Sequence, residues 1–190
     1  MKRFVVLTLV LAASLTLSAQ RGGGFTTLFD GKNLDNFNKV GDANWTVVDG
    51  AVQADKGMGG YLVTKQSYGD FEIKAEFWVD TPANSGIFIR CANPQMPGGD
   101  TCYEVNIYDT RPDPAYATGA IVNVAKVATP IKAAGKWNTY EIRAQGSHMV
   151  ITLNGVKTAE GDDAKHARGP FALQYGAGVV KFRLVQIRPL

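Results

Sequence analysis

The sequence has few of the residues that bind metal ions and little net charge. Among its 190 residues there are two histidines and two cysteines, and neither histidine lies near a cysteine in the chain. A zinc site, which usually takes three or four such side chains, is therefore not expected. The formal net charge is +3, and no run of lysine or arginine occurs. Nucleic acids require a clustered basic face, so we expect no nucleic-acid partner.

Sustained helical periodicity is also missing, whereas strand periodicity is frequent. In the segment 71–79, apolar residues alternate with polar ones, which is typical of a half-buried antiparallel strand. Short runs of this kind are separated by turn signals such as Asp49-Gly50 and Asn154-Gly155. The predicted strands are 25–29, 45–48, 51–54, 61–64, 71–79, 86–91, 102–109, 118–124, 137–143, 148–153, 156–159, 171–175 and 179–187. This pattern predicts a single all-β domain, a sandwich of two antiparallel sheets.

The longest apolar run lies at the N-terminus and is too short to cross a bilayer comfortably. It covers 4–17, follows the basic pair Lys2-Arg3 and ends at Ser18-Ala19; a membrane-spanning helix takes about 20 apolar residues. This arrangement is typical of a signal peptide. We predict a signal peptide at 1–19, a flexible leader at 20–24 and the folded domain at 25–190. The mature chain is then secreted or periplasmic and has no membrane span.

The two cysteines are expected to form a disulfide because the chain is predicted to be exported. Cys91 and Cys102 enclose a loop rich in proline and glycine, between two strand-like runs. Two buried free thiols are the alternative, since cysteine also packs well as a small apolar residue.

The run 102–109 carries more chemically active groups than any other predicted strand. On a regular strand Glu104, Asn106 and Tyr108 share one face, and Asp109 points away. A β-bulge would return Asp109 to that face and give the two carboxylates that glycosidases use. Without a bulge, Glu104 is a single base. A solvated strand face without a function is the simplest alternative.

Two further side chains are candidates for substrate contacts. Arg90 could pair with Glu104, could hold a substrate oxygen, or could belong to a structural ion pair. If Cys91 and Cys102 were directly opposed, Arg90 would face the other side, so either a bulge intervenes or the cysteines lie beyond the ladder. Trp78 shares the polar side of its strand and is a candidate for stacking on a sugar in a surface cleft.

Several segments, taken in order, resemble the 3-keto-disaccharide hydrolase family, also described as 3-keto-glucoside lyase/hydratase domains. They are FTTLFDGKNLDNF at 25–37, WTVVDGAV at 45–52, YGDFEIKAEF at 68–77, NSGIFIR at 84–90, YEVNIYD at 103–109, TGAI at 118–121, GKWNTYEIRAQG at 135–146, ITLNGV at 151–156 and GPFALQ at 169–174. The resemblance implies a concanavalin-like jelly roll and a secreted protein that acts on glycosides oxidised at C3. Gln174 in the last segment becomes a candidate substrate-binding residue.

The sequence departs from this family near Tyr175. Family members often have Asp-His-Gly after the Leu-Gln pair, whereas this chain continues with Tyr175-Gly176. The Glu104-x-Asn106-x-x-Asp109 pattern also resembles the acidic strand motif of laminarinase-type glycosidases. Asn106 and Asp109 replace two of that motif's carboxylates, so an ordinary endoglucanase is disfavoured.

The function that the resemblance implies is cleavage of a 3-keto-glycoside, with a glycoside or oligosaccharide as partner. A ketone at C3 acidifies the proton at C2, so one base can remove it and expel the C1 substituent. Glu104 is the predicted base and Asp109 the second choice. Arg90 or a divalent metal would stabilise the enolate, although the sequence identifies no metal ligand set. A lectin-like binding module without catalysis is the alternative, because the same fold serves both.

Overall fold

The protein folds into two antiparallel sheets that enclose one core. The structure is a computed structural model and describes residues 23–127 and 130–190. The predicted signal peptide lies outside these residues. Within these ranges all regular secondary structure is β-strand, apart from one short 3₁₀ turn, Pro114–Tyr116. No helix in the described ranges has the length and apolar character needed to cross a membrane. The prediction of a two-sheet all-β sandwich is confirmed.

The larger sheet has eight strands in the described chain. Its order is β11-β10-β9-β6-β13-β4-β3, with β1 also paired to β13. The strands are β1 (Thr26–Phe29), β3 (Thr46–Val48), β4 (Ala51–Ala54), β6 (Phe71–Val79), β9 (Trp137–Gln145), β10 (His148–Leu153), β11 (Val156–Asp162) and β13 (Val180–Pro189). Strand β6 alternates buried and half-buried residues along its whole length, as its sequence predicts.

The smaller sheet has five strands in the order β2-β5-β12-β7-β8. They are β2 (Phe37–Gly41), β5 (Gly60–Thr64), β7 (Ser85–Ile89), β8 (Tyr103–Ile107) and β12 (Ala172–Tyr175). Strands β7 and β8 are connected through the loop that the cysteines enclose. Strand β12 comes from the far end of the chain and lies between β5 and β7, so the centre of this sheet combines distant parts of the sequence.

The core fills the space between the two sheets with apolar side chains. Phe77 of β6 and Tyr140 of β9 are fully buried and stack with ring centroids 5.0 Å apart. The Tyr140 hydroxyl donates a 2.6 Å hydrogen bond to the backbone oxygen of Asn106 in β8. Each large buried side chain contributes about 1.5–3 kcal/mol. The Tyr140 hydrogen bond ties β8 to the opposite sheet, which fixes the strand that carries Glu104.

The predicted strand at 118–124 is wrong. This segment lies along the free edge of β8 but forms only isolated bridges, Val105 to Ile121 and Ile121 to Ala125. Gly119 and Asn123 have positive φ, +98° and 61°, and a strand cannot continue through such residues. Strand β2 was not predicted because its burial does not alternate regularly, as is common for a strand at a sheet edge.

Candidate functional site

The candidate site lies on the outer face of the five-stranded sheet. Four of its residues stand in one row across neighbouring strands: Val63, Ala172, Phe88 and Glu104. The next row on the same face, two residues along each strand, is Tyr61, Gln174, Gly86 and Asn106. Successive side chains of a strand point to opposite faces. The topology therefore brings three of the predicted site residues, Glu104, Asn106 and Gln174, into neighbouring rows of one face.

Glu104 is a half-buried carboxylate without a hydrogen-bond donor in the described part of the chain. Burial raises the pKa of Glu104, and the positive charge of Arg111 lowers it in part. A side chain at Gly86 would place its Cβ 3.3 Å from Glu104 Cγ and 3.5 Å from Oε1. The Glu104 side chain therefore lies over Gly86, towards the centre of the sheet. A carboxylate in this state is well suited to accept a proton.

Two amide oxygens in the second row are buried and unpaired. Asn106 Nδ2 donates to the Tyr116 backbone oxygen at 2.6 Å, and Gln174 Nε2 lies 3.5 Å from the Tyr61 hydroxyl. Asn106 Oδ1 and Gln174 Oε1 have no partner in the described residues. Buried polar atoms are usually satisfied, because an unpaired one costs about 1–3 kcal/mol. Both oxygens are shielded from the surface, and Asn106 is fully buried, so the structure does not support Asn106 as a substrate-binding residue. The half-buried Gln174 keeps part of its side chain exposed on this face.

The disulfide prediction is confirmed, and the two cysteines lie just past the end of the β7–β8 ladder. Cys91 and Cys102 are bonded, with Cα atoms 4.2 Å apart. They pack with Phe88, Val63 and Ala172 on the outer face, beside the Glu104 row. The regular register ends with Ile89 opposite Tyr103. Of the two arrangements considered from sequence, the cysteines therefore lie beyond the ladder.

The structure places Arg90 away from Glu104, which corrects its assignment as a substrate-binding residue. Arg90 has a left-handed φ of 53° and a side chain that is 1% exposed. Its guanidinium donates to the backbone oxygens of Gly69 and Gly146 and forms an ion pair with Asp70 at 3.0 Å. The break in the strand turns Arg90 to the interior, where it joins two loops. Of the three roles considered, it has the structural one.

Asp109 also has structural partners, which corrects its place as a second catalytic carboxylate. Its Oδ1 accepts from the Thr118 hydroxyl at 2.6 Å, and its Oδ2 accepts from the backbone amides of Ala133 and Ala134. Strand β8 pairs with β7 without a register shift and ends at Ile107. The bulge that would bring Asp109 to Glu104 is therefore not present. Tyr108 lies beyond the same strand end, where its backbone amide bonds Thr118.

Trp78 lies on the other sheet from Glu104. It is half-buried on the outer face of the larger sheet, beside Lys181, whose Nζ is 5.2 Å from the ring centroid. The prediction that it reaches the surface is confirmed, but it cannot stack on a ligand held at Glu104. Strand parity gave the correct side of the strand, and only the sheet order shows which layer that side belongs to.

The sequence reading missed Tyr61 and Arg111. Tyr61 is two strands away from β7, yet its ring packs edge-on against Phe88 at 5.4 Å. Arg111 follows β8 and is the one charged side chain whose field acts on the pKa of Glu104. No ion pair in the described ranges includes it. Tyr61 can be recognised as a candidate site residue only when β5 and β12 are known to be neighbouring strands.

The missing Asp-His pair leaves a structurally closed position. Tyr175 points into the core and packs edge-on against Trp45, with centroids 6.5 Å apart. A Cβ at Gly176 would lie 2.9 Å from the Asn84 backbone oxygen. This chain therefore has no room for a side chain at 176 unless Asn84 moves. Any role of this site therefore cannot include a histidine at 176.

A recess also lies away from Glu104. It measures about 440 Å³ and lies on the outer face of the larger sheet, beside Phe25. Its charged groups are paired with one another: Glu72 binds Arg143 and Arg188, and Lys74 binds Glu141. We place the site at Glu104 instead, because its carboxylate is unpaired. No cluster of three or more His, Cys, Asp or Glu side chains in the described ranges could hold a metal ion.

The stacked antiparallel sheets define a jelly-roll protein of the concanavalin and galectin-like class. Within that class, the chain belongs to the family of 3-keto-alpha-glucoside-1,2-lyase-like domains, whose model matches residues 24–188. This confirms the resemblance drawn from the sequence segments.

Individual relatives are similar over different lengths. A 3-keto-disaccharide hydrolase of Bacteroides thetaiotaomicron is 32% identical over 77 residues, which is 34% of this chain and 27% of that protein. A Parabacteroides distasonis protein, provisionally named a glycosyl hydrolase, is 26% identical to this chain and has a TM-score of 0.74. The superposition covers 88% of this chain and 100% of the Parabacteroides chain. A carbohydrate-binding module of Bacillus subtilis shares the fold at 16% identity and a TM-score of 0.61, covering 86% and 94%.

Proposed function

We propose that this protein cleaves 3-keto-glycosides at the outer face of its smaller sheet, with Glu104 as the base. The observation that carries this proposal is the unpaired, half-buried Glu104 carboxylate, on the face that also carries Gln174 and Tyr61. The family and the name of the Bacteroides relative support a glycoside as the substrate. The matched region covers only about a quarter of that relative, so its activity does not by itself define the activity of this chain.

The chemistry needs one base and one positive group. Glu104 removes the proton at C2, which the neighbouring C3 ketone has made acidic, and the negative charge moves to the ketone oxygen. Arg111 is the candidate cation for that oxygen in place of Arg90, because Arg90 is buried and paired with Asp70, whereas Arg111 follows β8 and is half-buried. The bond from C1 to the leaving oxygen then breaks, and addition of water completes the hydrolysis. Gln174, which is half-buried beside Tyr61, is the side chain available to contact a sugar hydroxyl.

A lectin-like module remains the competing function, and the closed position at Gly176 favours it. If the family's histidine were required, this chain would bind a sugar without consuming it. The fold alone does not decide, because carbohydrate-binding modules share it.

The deciding experiment follows a 3-keto-glucoside with wild-type protein and with Glu104→Gln. The amide keeps the shape of the side chain but removes the proton acceptor, so turnover should fall at least about 100-fold while binding in calorimetry persists. Glu141→Gln, a glutamate on the larger sheet, is the matched control and should keep full turnover. Sugar binding by a wild-type protein that never consumes the substrate would establish the lectin-like function instead.

A further inference from the structure

Tyr61 and Glu104 lie on the same face of the smaller sheet, in adjacent rows, with two strands between them. Tyr61 belongs to β5 and Glu104 to β8, with β12 and β7 between them. Neighbouring strands are about 4.8 Å apart, so the backbones of β5 and β8 are separated by roughly 14 Å. Two of the outward residues on the central strands are small, Ala172 and Gly86. We call the surface of β12 and β7 between Tyr61 and Glu104 the trough; Ala172 and Phe88 close its base, and one titratable side chain lies on each side.

Both side chains lean inwards over this trough. Glu104 lies over Gly86, as described above. The Tyr61 ring meets the edge of Phe88 on β7, and its hydroxyl is 3.5 Å from Gln174 on β12. A sugar ring held against this face between β5 and β8 would therefore have the carboxylate on one side and the phenol on the other.

The proton of the Tyr61 hydroxyl is available to a ligand. In its 3.5 Å contact with Gln174 the amide nitrogen is the donor and the tyrosine oxygen the acceptor, so this contact does not use the tyrosine's own proton. Burial raises the pKa of Tyr61, the Gln174 hydrogen bond lowers it, and the negative charge of Glu104 raises it again. The pKa stays above its ordinary value of 10.0. The phenol is thus protonated at neutral pH and can act as a donor.

We propose that Tyr61 is the general acid of this site and protonates the oxygen that leaves C1. This inference rests on the proposed 3-keto-glycoside cleavage and adds its second proton transfer. Glu104 takes the C2 proton, and the electron pair of that bond forms the C1–C2 double bond. The bond from C1 to the leaving oxygen breaks with its electron pair, and that oxygen receives the Tyr61 proton. Protonated Glu104 and the Tyr61 phenolate remain.

The addition of water reverses the same two transfers. Water gives its proton to the Tyr61 phenolate as its oxygen bonds to C1, and Glu104 returns its proton to C2. Both side chains regain their starting states, so no additional co-reactant is required. One pair of residues can therefore serve elimination and hydration, and the histidine missing near Gly176 is not needed for either step.

The test compares Tyr61→Phe with wild type on two 3-keto-glucosides. With an alkyl alcohol as leaving group, cleavage by the variant should fall at least about 100-fold, because the departing alkoxide is strongly basic. With a nitrophenolate leaving group the loss should be less than about tenfold, since that group leaves without a proton. Exchange of the C2 hydrogen in heavy water should continue in the variant, because Glu104 is intact.

Tyr68→Phe is the matched control. Tyr68 is a buried core tyrosine whose hydroxyl meets only Gln66, and its loss should leave both substrates unaffected. Equal losses on both leaving groups, or simultaneous loss of C2 exchange, would overturn the role of Tyr61 as acid. Unchanged cleavage of the alkyl glycoside by Tyr61→Phe would also overturn it, and Tyr61 would only support Phe88. A wild-type protein that neither exchanges nor cleaves overturns the proposed function itself.

Discussion

Glu104 is a carboxylate that the fold holds partly away from water without giving it a neutralising partner. Desolvation raises its pKa, and the field of Arg111 offsets only part of that rise. For catalysis this is useful, because a more basic carboxylate takes a proton more readily. For stability it is a cost, because the charged form is less well solvated in the folded state than in the unfolded chain.

The cost predicts how Glu104→Gln changes stability with pH. A group whose folded pKa is raised contributes its stability below the ordinary pKa and loses it as the pH rises through the folded value. The variant has no charge to desolvate. Its melting temperature should therefore match wild type at about pH 4 and exceed it at about pH 8, measured by calorimetry.

The exposed control should behave differently. Glu141→Gln on the larger sheet removes a glutamate whose side chain is 49% exposed and paired with Lys74, so its melting temperature should follow wild type at both pH values within a degree or two. If Glu104→Gln were less stable than wild type at about pH 8, Glu104 would have a stabilising partner, and its role as a free base would be wrong.

The face on which a side chain lies could be predicted from the sequence wherever the residue belongs to a regular strand. Glu104 and Asn106 were placed correctly because they stand two apart on a regular strand. The structural partners of Arg90 and Asp109 could not be predicted, since each residue lies just past a strand end, where alternation no longer applies. Arg90 turns inwards through a left-handed φ, and Asp109 turns to the loop at Ala133 and Ala134. Neither turn has a signature in the local sequence.

At the scale of elements, turn chemistry proved as informative as hydrophobic alternation. Asn154 and Gly155 both have positive φ, 52° and 80°, as the Asn-Gly signal between β10 and β11 predicts. Asp49-Gly50 behaves in the same way between β3 and β4, with 51° and 74°. The prediction of a strand at 118–124 is wrong because the apolar content suggests a strand, whereas Gly119 and Asn123 bend the backbone.

Replacement of Gly155 by valine should test the β10–β11 turn. A Cβ at Gly155 would meet nothing within 4 Å, so the substitution tests backbone conformation alone. A β-branched residue at φ +80° costs about 1–3 kcal/mol, and the melting temperature should fall by several degrees. Gly99→Val is the control: its surroundings are equally open, but its φ is not positive. Equal melting temperatures of the two variants would contradict this conformational cost.

At the scale of the whole molecule, the site is a product of topology. Strand β12 enters the smaller sheet more than 80 residues after β7, and it supplies Gln174 and Ala172 between Tyr61 and Phe88. The two-sheet architecture could be predicted from strand count and turns. The trough could not be predicted, because no local pattern in the sequence specifies that β12 lies between β5 and β7.

Export of the whole chain remains a proposal, and it leads to a prediction about the N-terminus. The predicted cleavage near Ala19 precedes Phe25, which lies among the described residues. The ring centroid of Phe25 is 5.3 Å from Lys74 Nζ and 4.9 Å from Arg188 Cζ. A chain that begins at Gln20 therefore keeps both cation–π contacts, whereas one that begins at Thr26 loses them.

Mass spectrometry of the exported protein should find an N-terminus close to Gln20, and the 20–190 chain should melt at the same temperature as that material. The 26–190 chain should melt lower by a few degrees, because each exposed cation–π contact contributes about 0.5–1 kcal/mol and the packing of Phe25 is also lost. Phe25→Ala in the 20–190 chain is the matched comparison and should reproduce most of this decrease. Exported protein that retains Met1 would contradict cleavage. Equal melting of the 20–190 and 26–190 chains would show that Phe25 does not stabilise the larger sheet.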